Sequence, residues 1–213
     1  MRIRITFAKQ GALRYTGHLD LHKIWERATR RANLPLTYSQ GFHPQPKIQL
    51  AAALPLGFSS RCEVVDMWVD DDALDLTVLP ARFGEAVPMG IKILNVEKVE
   101  ERGSALQTQV VSAEYEVTLF DEVDPDRLTQ RLAAVMETAS LPRERRGKPY
   151  DLRPLIEAMR LIEPDAESHP RLWMCLTARE GATGRPEEVL DVLGVRYEGT
   201  RVERSRFLFK ESQ

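Results

Sequence analysis

The feature that most limits the fold is a hydrophobic period that runs strand, helix, strand, strand, helix, strand, and then does so a second time. The opening "RIRITFA" alternates from Arg2 to Phe7, so Ile3, Ile5 and Phe7 share one face of a half-buried strand. "TGHLDLHKIWERATRRAN" then places Leu21, Ile24, Trp25, Ala28 and Ala32 at helical spacing, with Thr16 as the expected N-cap and Asp20 in the first turn. "KIQLAAAL" and "CEVVDMWVD" read as strands, "PARFGEAV" as a short helix and "GIKILNVEKV" as a strand.

The polar stretch "EERGSALQT", residues 100–108 with a central Gly103-Ser104, reads as a linker. Beyond it the order recurs. "SAEYEVTLF" alternates like a strand. "DPDRLTQRLAAVMETA" is a helix capped by Asp124 with Pro125 at its first position and Leu128, Leu132, Val135 and Met136 facing inward. Residues 143–160 form a basic, partly extended stretch. The strand "RLWMCLTA", the helix "PEEVLDVLG" stopped by Gly194, and the strand "RVERSRFLF" complete the half. The pattern predicts an α+β fold of two tandem ferredoxin-like units, each an antiparallel sheet with helices on one face, spanning residues 1–100 and 109–213. One continuous sheet shared by both halves is the alternative.

No stretch approaches the roughly 18–20 apolar residues of a membrane span, and Met1-Arg2-Ile3-Arg4 alternates charge instead of opening an apolar signal core. A cytoplasmic protein without a membrane partner is expected. Cys62 and Cys175 are too few and too far apart for a disulfide framework or a zinc knuckle, which leaves buried thiols. The net charge of -2 conceals an asymmetry: residues 1–61 hold ten Lys and Arg against Asp20 and Glu26 alone. Such segregation predicts an anionic partner for the opening third.

Within that third, "SQGFHPQPKIQL" cannot be helical, because His43 and Gln45 each precede a proline and are pushed into extended geometry, while Gly41 supplies a turn with positive φ. Phe42, His43 and Lys47 then form a stiff recognition loop suited to a base and a phosphate. The competing reading is a crossover in which Phe42 plugs the core. Lys23, Arg27, Arg30 and Arg31 recur at spacings of three and four along one helix face, a row fit for a phosphate backbone or an acidic protein surface. A second basic segment, "PRERRGKPYDLRP", contributes Arg145, Arg146 and Lys148, with Asp151 beside Arg153 as a local ion pair. His18 and His22 have metal-compatible spacing but lack an H-E-x-x-H frame or a converging third ligand, so no metal and no cofactor is expected. The chain carries no G-x-x-x-x-G-K-[ST], no G-x-G-x-x-G after a strand and no G-x-S-x-G, which argues against a nucleotide-hydrolysing, dinucleotide-dependent or serine-hydrolase enzyme.

The run "GALRYTGHLDLHKIWERATRRANLPLTYSQGFHPQPKIQLAAALPLG", with "KPYDLRPLI", "GRPEEVLDVLG" and "RVERSRFLF", resembles the DUF2344 family of radical-SAM-linked proteins. The resemblance implies a radical SAM protein as partner. A radical SAM enzyme holds its cluster by C-x-x-x-C-x-x-C, and this chain has only two cysteines, so it would be the accessory component. The expected function is a non-catalytic module that binds substrate, with RNA favoured by the basic opening third. A protein-docking module for the radical SAM partner comes second, and a ribonuclease using His43 or His18 comes last.

Overall fold

The computed structural model describes residues 1–210. The last residues of the second expected domain, 211–213, lie outside the described residues. The fold is mixed α+β, built on antiparallel sheets, and divides into two compact units, Met1–Gln109 and Val110–Gln213.

The first unit runs β1 (Arg2–Lys9), α1 (His18–Arg31), β2 (Ile48–Leu50), β3 (Ser59–Trp68), α2 (Leu79–Ala86), β4 (Ile91–Val99) and the single turn α3 (Leu106–Gln109). β1 is central, antiparallel to β3 on one side and β4 on the other, with β2 beyond β3. Ile5 sits opposite Val65 and Val96 in the two ladders. The alternation of β1 sends Ile3, Ile5 and Phe7 to the helical side, where they share a core with Leu21, Trp25, Leu79 and Phe83. Trp25 meets Phe7 and Phe83 edge-on, with ring centroids 4.8 and 5.7 Å away. Thr16 is not the cap of α1. Gly17 holds that position without a side-chain bond, so the helix relies on packing of its apolar stripe.

The same alternation turns Arg2 and Arg4 to the opposite side, onto Asp66 of β3. Arg2 Nη2 lies 2.6 Å from Asp66 Oδ2 and Arg4 Nε 2.8 Å from Oδ1. Arg2 also donates to the carbonyls of Gly103 and Ser104, each at 3.2 Å, and Arg4 to Gln109 Oε1 at 3.0 Å. Leu106 is fully buried and donates its N–H to Gln49 Oε1 at 3.0 Å. Residues 100–109 are therefore a strap held by first-unit side chains. The polar composition of "EERGSALQT" suggested a linker because the anchoring arginines lie about a hundred residues earlier in the chain.

The second unit runs β5 (Val110–Leu119), α4 (Pro125–Glu137), β6 (Pro142–Arg145), β7 (Lys148–Asp151), β8 (Ile156–Ile162), β9 (Arg171–Arg179), β10 (Ala182–Thr183), α5 (Pro186–Val192) and β11 (Thr200–Phe209). β5 lies between β9 and β11, and β8 is antiparallel to the outer side of β9. Asp124 caps α4, accepting from Asp126 N at 3.0 Å and Arg127 N at 3.3 Å, and Gly194 ends the α5 segment at φ +67°. Residues 143–160, read as one extended stretch, resolve into the β6–β7 hairpin and strand β8. Asp151 and Arg153 do not form the expected ion pair. Asp151 Oδ1 accepts the backbone N–H groups of Leu141 and Arg153 at 2.7 and 2.9 Å, while the Arg153 guanidinium donates to the carbonyls of Met136 and Ile156.

Cys175 on β9 belongs to a polar cluster around Glu157, whose carboxylate accepts from Ser112 Oγ at 2.5 Å, Thr177 Oγ1 at 3.1 Å and Cys175 Sγ at 3.4 Å. Burial first, and then this carboxylate, push the thiol up to about 12. Alkylation of native Cys175 at mildly alkaline pH is expected to run about a thousandfold slower than that of an ordinary exposed thiol, because so little thiolate is present. Peptide mass spectrometry after iodoacetamide treatment checks this. Rapid labelling of Cys175 in the folded protein would contradict it, and urea should restore reactivity.

Candidate nucleic-acid interface

After α1 the chain builds a small finger from residues 36–47. Leu36 bridges Val69, and Thr37 N–H donates to Trp68 O at 2.8 Å, which tie its base to the end of β3. Tyr38 bridges Pro46, Ser39 N–H donates to Gln45 O at 2.8 Å, Lys47 N–H to Thr37 O at 2.9 Å, and Gln45 N–H to Ser39 Oγ at 2.9 Å. At the tip, Gly41 adopts φ +139°, a region L side chains avoid, and the two prolines stiffen the return. Phe42 at this tip is fully exposed, at 102%. The alternative in which Phe42 plugs the core is thereby overturned. His43 and Lys47 are exposed beside it, and Tyr38 is half exposed.

On α1, Leu21, Trp25, Ala28 and Thr29 face inward, which leaves Lys23, Arg27, Arg30 and Arg31 exposed. Their engagements differ. Lys23 Nζ lies 3.9 Å from Asp20 Oδ1, and Arg31 Nη1 donates to Ala86 O at 3.2 Å, capping the end of α2. Arg82 returns the arrangement by donating to the carbonyls of Ala32 and Asn33. Among the described residues, neither Arg27 nor Arg30 nor Lys47 has a side-chain hydrogen-bond or ion-pair partner. Among the described residues no hydrogen bond or ion pair joins the finger tip to this helix face, so they are two basic features of one unit.

Three of the remaining cations of the opening third are internal, whereas Arg61 is exposed and Arg14 half-buried. Arg2 and Arg4 bind Asp66, and Lys9 is 1% exposed with its ammonium 2.8 Å from Thr16 O. The charge surplus itself shrinks when the folded unit, in place of the sequence segment, is counted. Met1–Gln109 contains fourteen Lys and Arg against twelve Asp and Glu, because β3 and the turns after it return the acids. Attraction of an anion would therefore be local to α1 and the finger.

His22 Nδ1 lies 3.0 Å from Glu26 Oε1, and its Nε2 is 3.4 Å from Ile48 O. Desolvation first, and then the neighbouring His22, hold His18 below the usual imidazole range, opposed by Glu63. Among the described residues no three His, Cys, Asp or Glu side chains are grouped to hold a metal ion. The buried charges Lys9 and Glu63 were not legible as chemistry, although the strand period gave a hint. Lys9 follows Ile3, Ile5 and Phe7 on the core-facing alternation, where a cation is out of place.

In the second unit, Arg145, Arg146 and Lys148 gather at the β6–β7 turn. They line a pocket of about 430 Å³ with Tyr150 and the turn into β10. Neither Tyr150 nor residues 181–183 carried a sequence signal, since the turn is brought to the hairpin only by the fold.

The family described as "Uncharacterized protein conserved in bacteria (DUF2344)" matches residues 2–186, which is most of the chain. The chain belongs to this family. The DUF2344 match thus includes the first unit from Arg2 onward, with its finger, and the β6–β7 hairpin. A search of curated proteins found no match. Among solved structures, the DUF2344 chain is similar to a chain of a Cbf5-Nop10-Gar1 complex, at 14% identity and a TM-score of 0.51 over 99% of this chain and 50% of that one. It is also similar to a chain of the archaeal box H/ACA sRNP Nop10-Cbf5 complex, at 15% identity and a TM-score of 0.48 over 99% and 49%. It spans about half the length of these chains. At such identity the first likeness shows a related fold and nothing of function. Among the described residues no helix is long and apolar enough to cross a membrane.

Proposed function

We propose that this DUF2344 chain, read as two tandem ferredoxin-like units, is a non-catalytic accessory module that binds RNA for a radical SAM partner. The observation that carries the RNA part is Phe42, held fully exposed on a hydrogen-bonded finger. Leaving a phenylalanine in water forgoes roughly 1.5–3 kcal/mol of burial, and the finger gains nothing from it within the unit. An exposed ring flanked by His43 and Lys47 suits stacking on an unpaired base with a cation near the adjoining phosphate. Lys23, Arg27 and Arg30 offer further phosphate contacts on α1. The radical SAM partner rests on the family resemblance.

Fluorescence anisotropy with tRNA and rRNA fragments between about 50 and about 200 mM salt tests this, because each phosphate engaged on a single strand contributes about -0.7 to the slope of log K against log salt. Engagement of Lys23, Arg27, Arg30 and Lys47 predicts a slope near about -3. Absence of binding at the lowest salt overturns the RNA reading. If RNA is ignored while Arg27→Glu with Arg30→Glu abolishes co-purification with a radical SAM protein, the basic face is a protein-docking surface instead.

A further inference from the structure

The pocket of the second unit has chemistry of its own. Its cationic side comes from the β6–β7 turn, where Arg146 and Gly147 adopt φ +52° and +74° between the paired residues Arg145 and Lys148. A two-residue turn of this form favours Asn-Gly, and a long side chain at its first position is held in a disfavoured backbone region. Strain of this kind is retained where the side chain has work to do. Among the described residues no carboxylate or hydrogen-bond acceptor engages the side chains of Arg145, Arg146 or Lys148. Asp151, the one acid among the described residues lining the pocket, is held below the usual carboxylate range by the backbone N–H groups of Leu141 and Arg153, both bonded to its Oδ1. Asp151 stays ionised, so the pocket sets three unpartnered cations against one carboxylate and its lining is net positive.

The rest of the lining is of another character. Pro149, Leu155 and Ala182 supply apolar surface, and Tyr150 supplies an aromatic ring whose hydroxyl lies near Glu188. Desolvation, and then Glu188, raise the Tyr150 phenol above its usual range, so the ring stays neutral. About 430 Å³ falls in the size range of small-ligand sites, roughly 300–1,000 Å³, and a bare phosphate would leave the apolar part unfilled.

We propose that this pocket binds a nucleoside monophosphate group, with the phosphate among Arg145, Arg146 and Lys148 and the heterocycle against Tyr150 and the apolar residues. The group is supplied either by a free mononucleotide or by the phosphorylated end of an RNA strand. The pocket lies in the second unit and its reading does not depend on the finger.

Isothermal titration of the full chain with AMP, adenosine, inorganic phosphate, and an RNA octamer with or without a 5′-phosphate tests the site. AMP is expected to bind at least about tenfold more tightly than adenosine or inorganic phosphate, because only it fills both parts. Arg146→Ser with Lys148→Ser should weaken AMP at least about tenfold, since charge-assisted bonds are lost, while Tm stays unchanged. Phe42→Ala should leave AMP binding intact, which separates this site from the finger. If AMP fails but the octamer binds in a phosphate-dependent manner sensitive to the double variant, the strand end is the source. If no probe distinguishes the double variant from the parent, or if neither AMP nor the 5′-phosphorylated octamer binds better than inorganic phosphate, the proposal is wrong.

Discussion

Asp66→Ala is expected to destabilise the first unit by about 3–5 kcal/mol, a large fraction of the roughly 5–15 kcal/mol that holds a typical domain folded. Asp66 is fully buried, and Arg2, its partner, is 1% exposed. Arg2 donates to Oδ2 and Arg4 to both oxygens, so truncation leaves the buried Arg2 guanidinium without its carboxylate and strips Arg4 of its nearest one. The loss extends to the strap, since the Arg2 guanidinium that grips Gly103 and Ser104 is oriented by the same carboxylate. Urea unfolding should show a lower midpoint at unchanged slope, and hydrogen exchange should show amides of residues 100–109 losing protection before those of β1. Asp66→Asn keeps the shape and loses the charge, and should fall between parent and alanine variant. A midpoint shift worth less than about 1 kcal/mol would mean that the buried triad is not what organises this side of the sheet.

Phe42→Ala is expected to weaken RNA binding about 5- to 150-fold, the loss of about 1–3 kcal/mol that removal of one stacking ring produces. Stability should stay within about 0.5 kcal/mol of the parent, because the ring is fully exposed and makes no contact that folding needs. That pairing of effects is diagnostic: a core residue would lose stability first, and a bystander would lose neither. Phe42→Trp should preserve or improve affinity, whereas Phe42→Leu, apolar but without a π-face, should behave like alanine. Anisotropy at fixed salt reads the affinity and thermal unfolding reads the stability. Unchanged affinity in Phe42→Ala would remove the finger from the interface.

Much of the site was legible because it depends on local covalent constraints. Gly41 and the prolines of "GFHPQP" dictate a stiff non-helical loop, and the loop is there. The exposed cations of α1 follow from the period of its apolar partners. The charge argument was less secure. Cutting the chain at residue 61 separated the cations from Glu63 and Asp66, which lie only a few residues further on and are paired with the same strand in space. Arg31 looked like one more member of a row, yet it caps α2, a role that depends on helix–helix packing and has no signature in spacing.

The amino-acid sequence by itself determined the α+β class, the faces of β1 and α1, the caps at Asp124 and Gly194 and the stiffness of the finger, because each is set by interactions within a few residues. Only the tertiary structure decided which cations are free, that residues 100–109 are a strap, and that the β6–β7 turn meets the β9–β10 turn around a pocket. Those outcomes depend on side chains far apart in the chain, whose encounter is chosen by sheet register and the burial of charge.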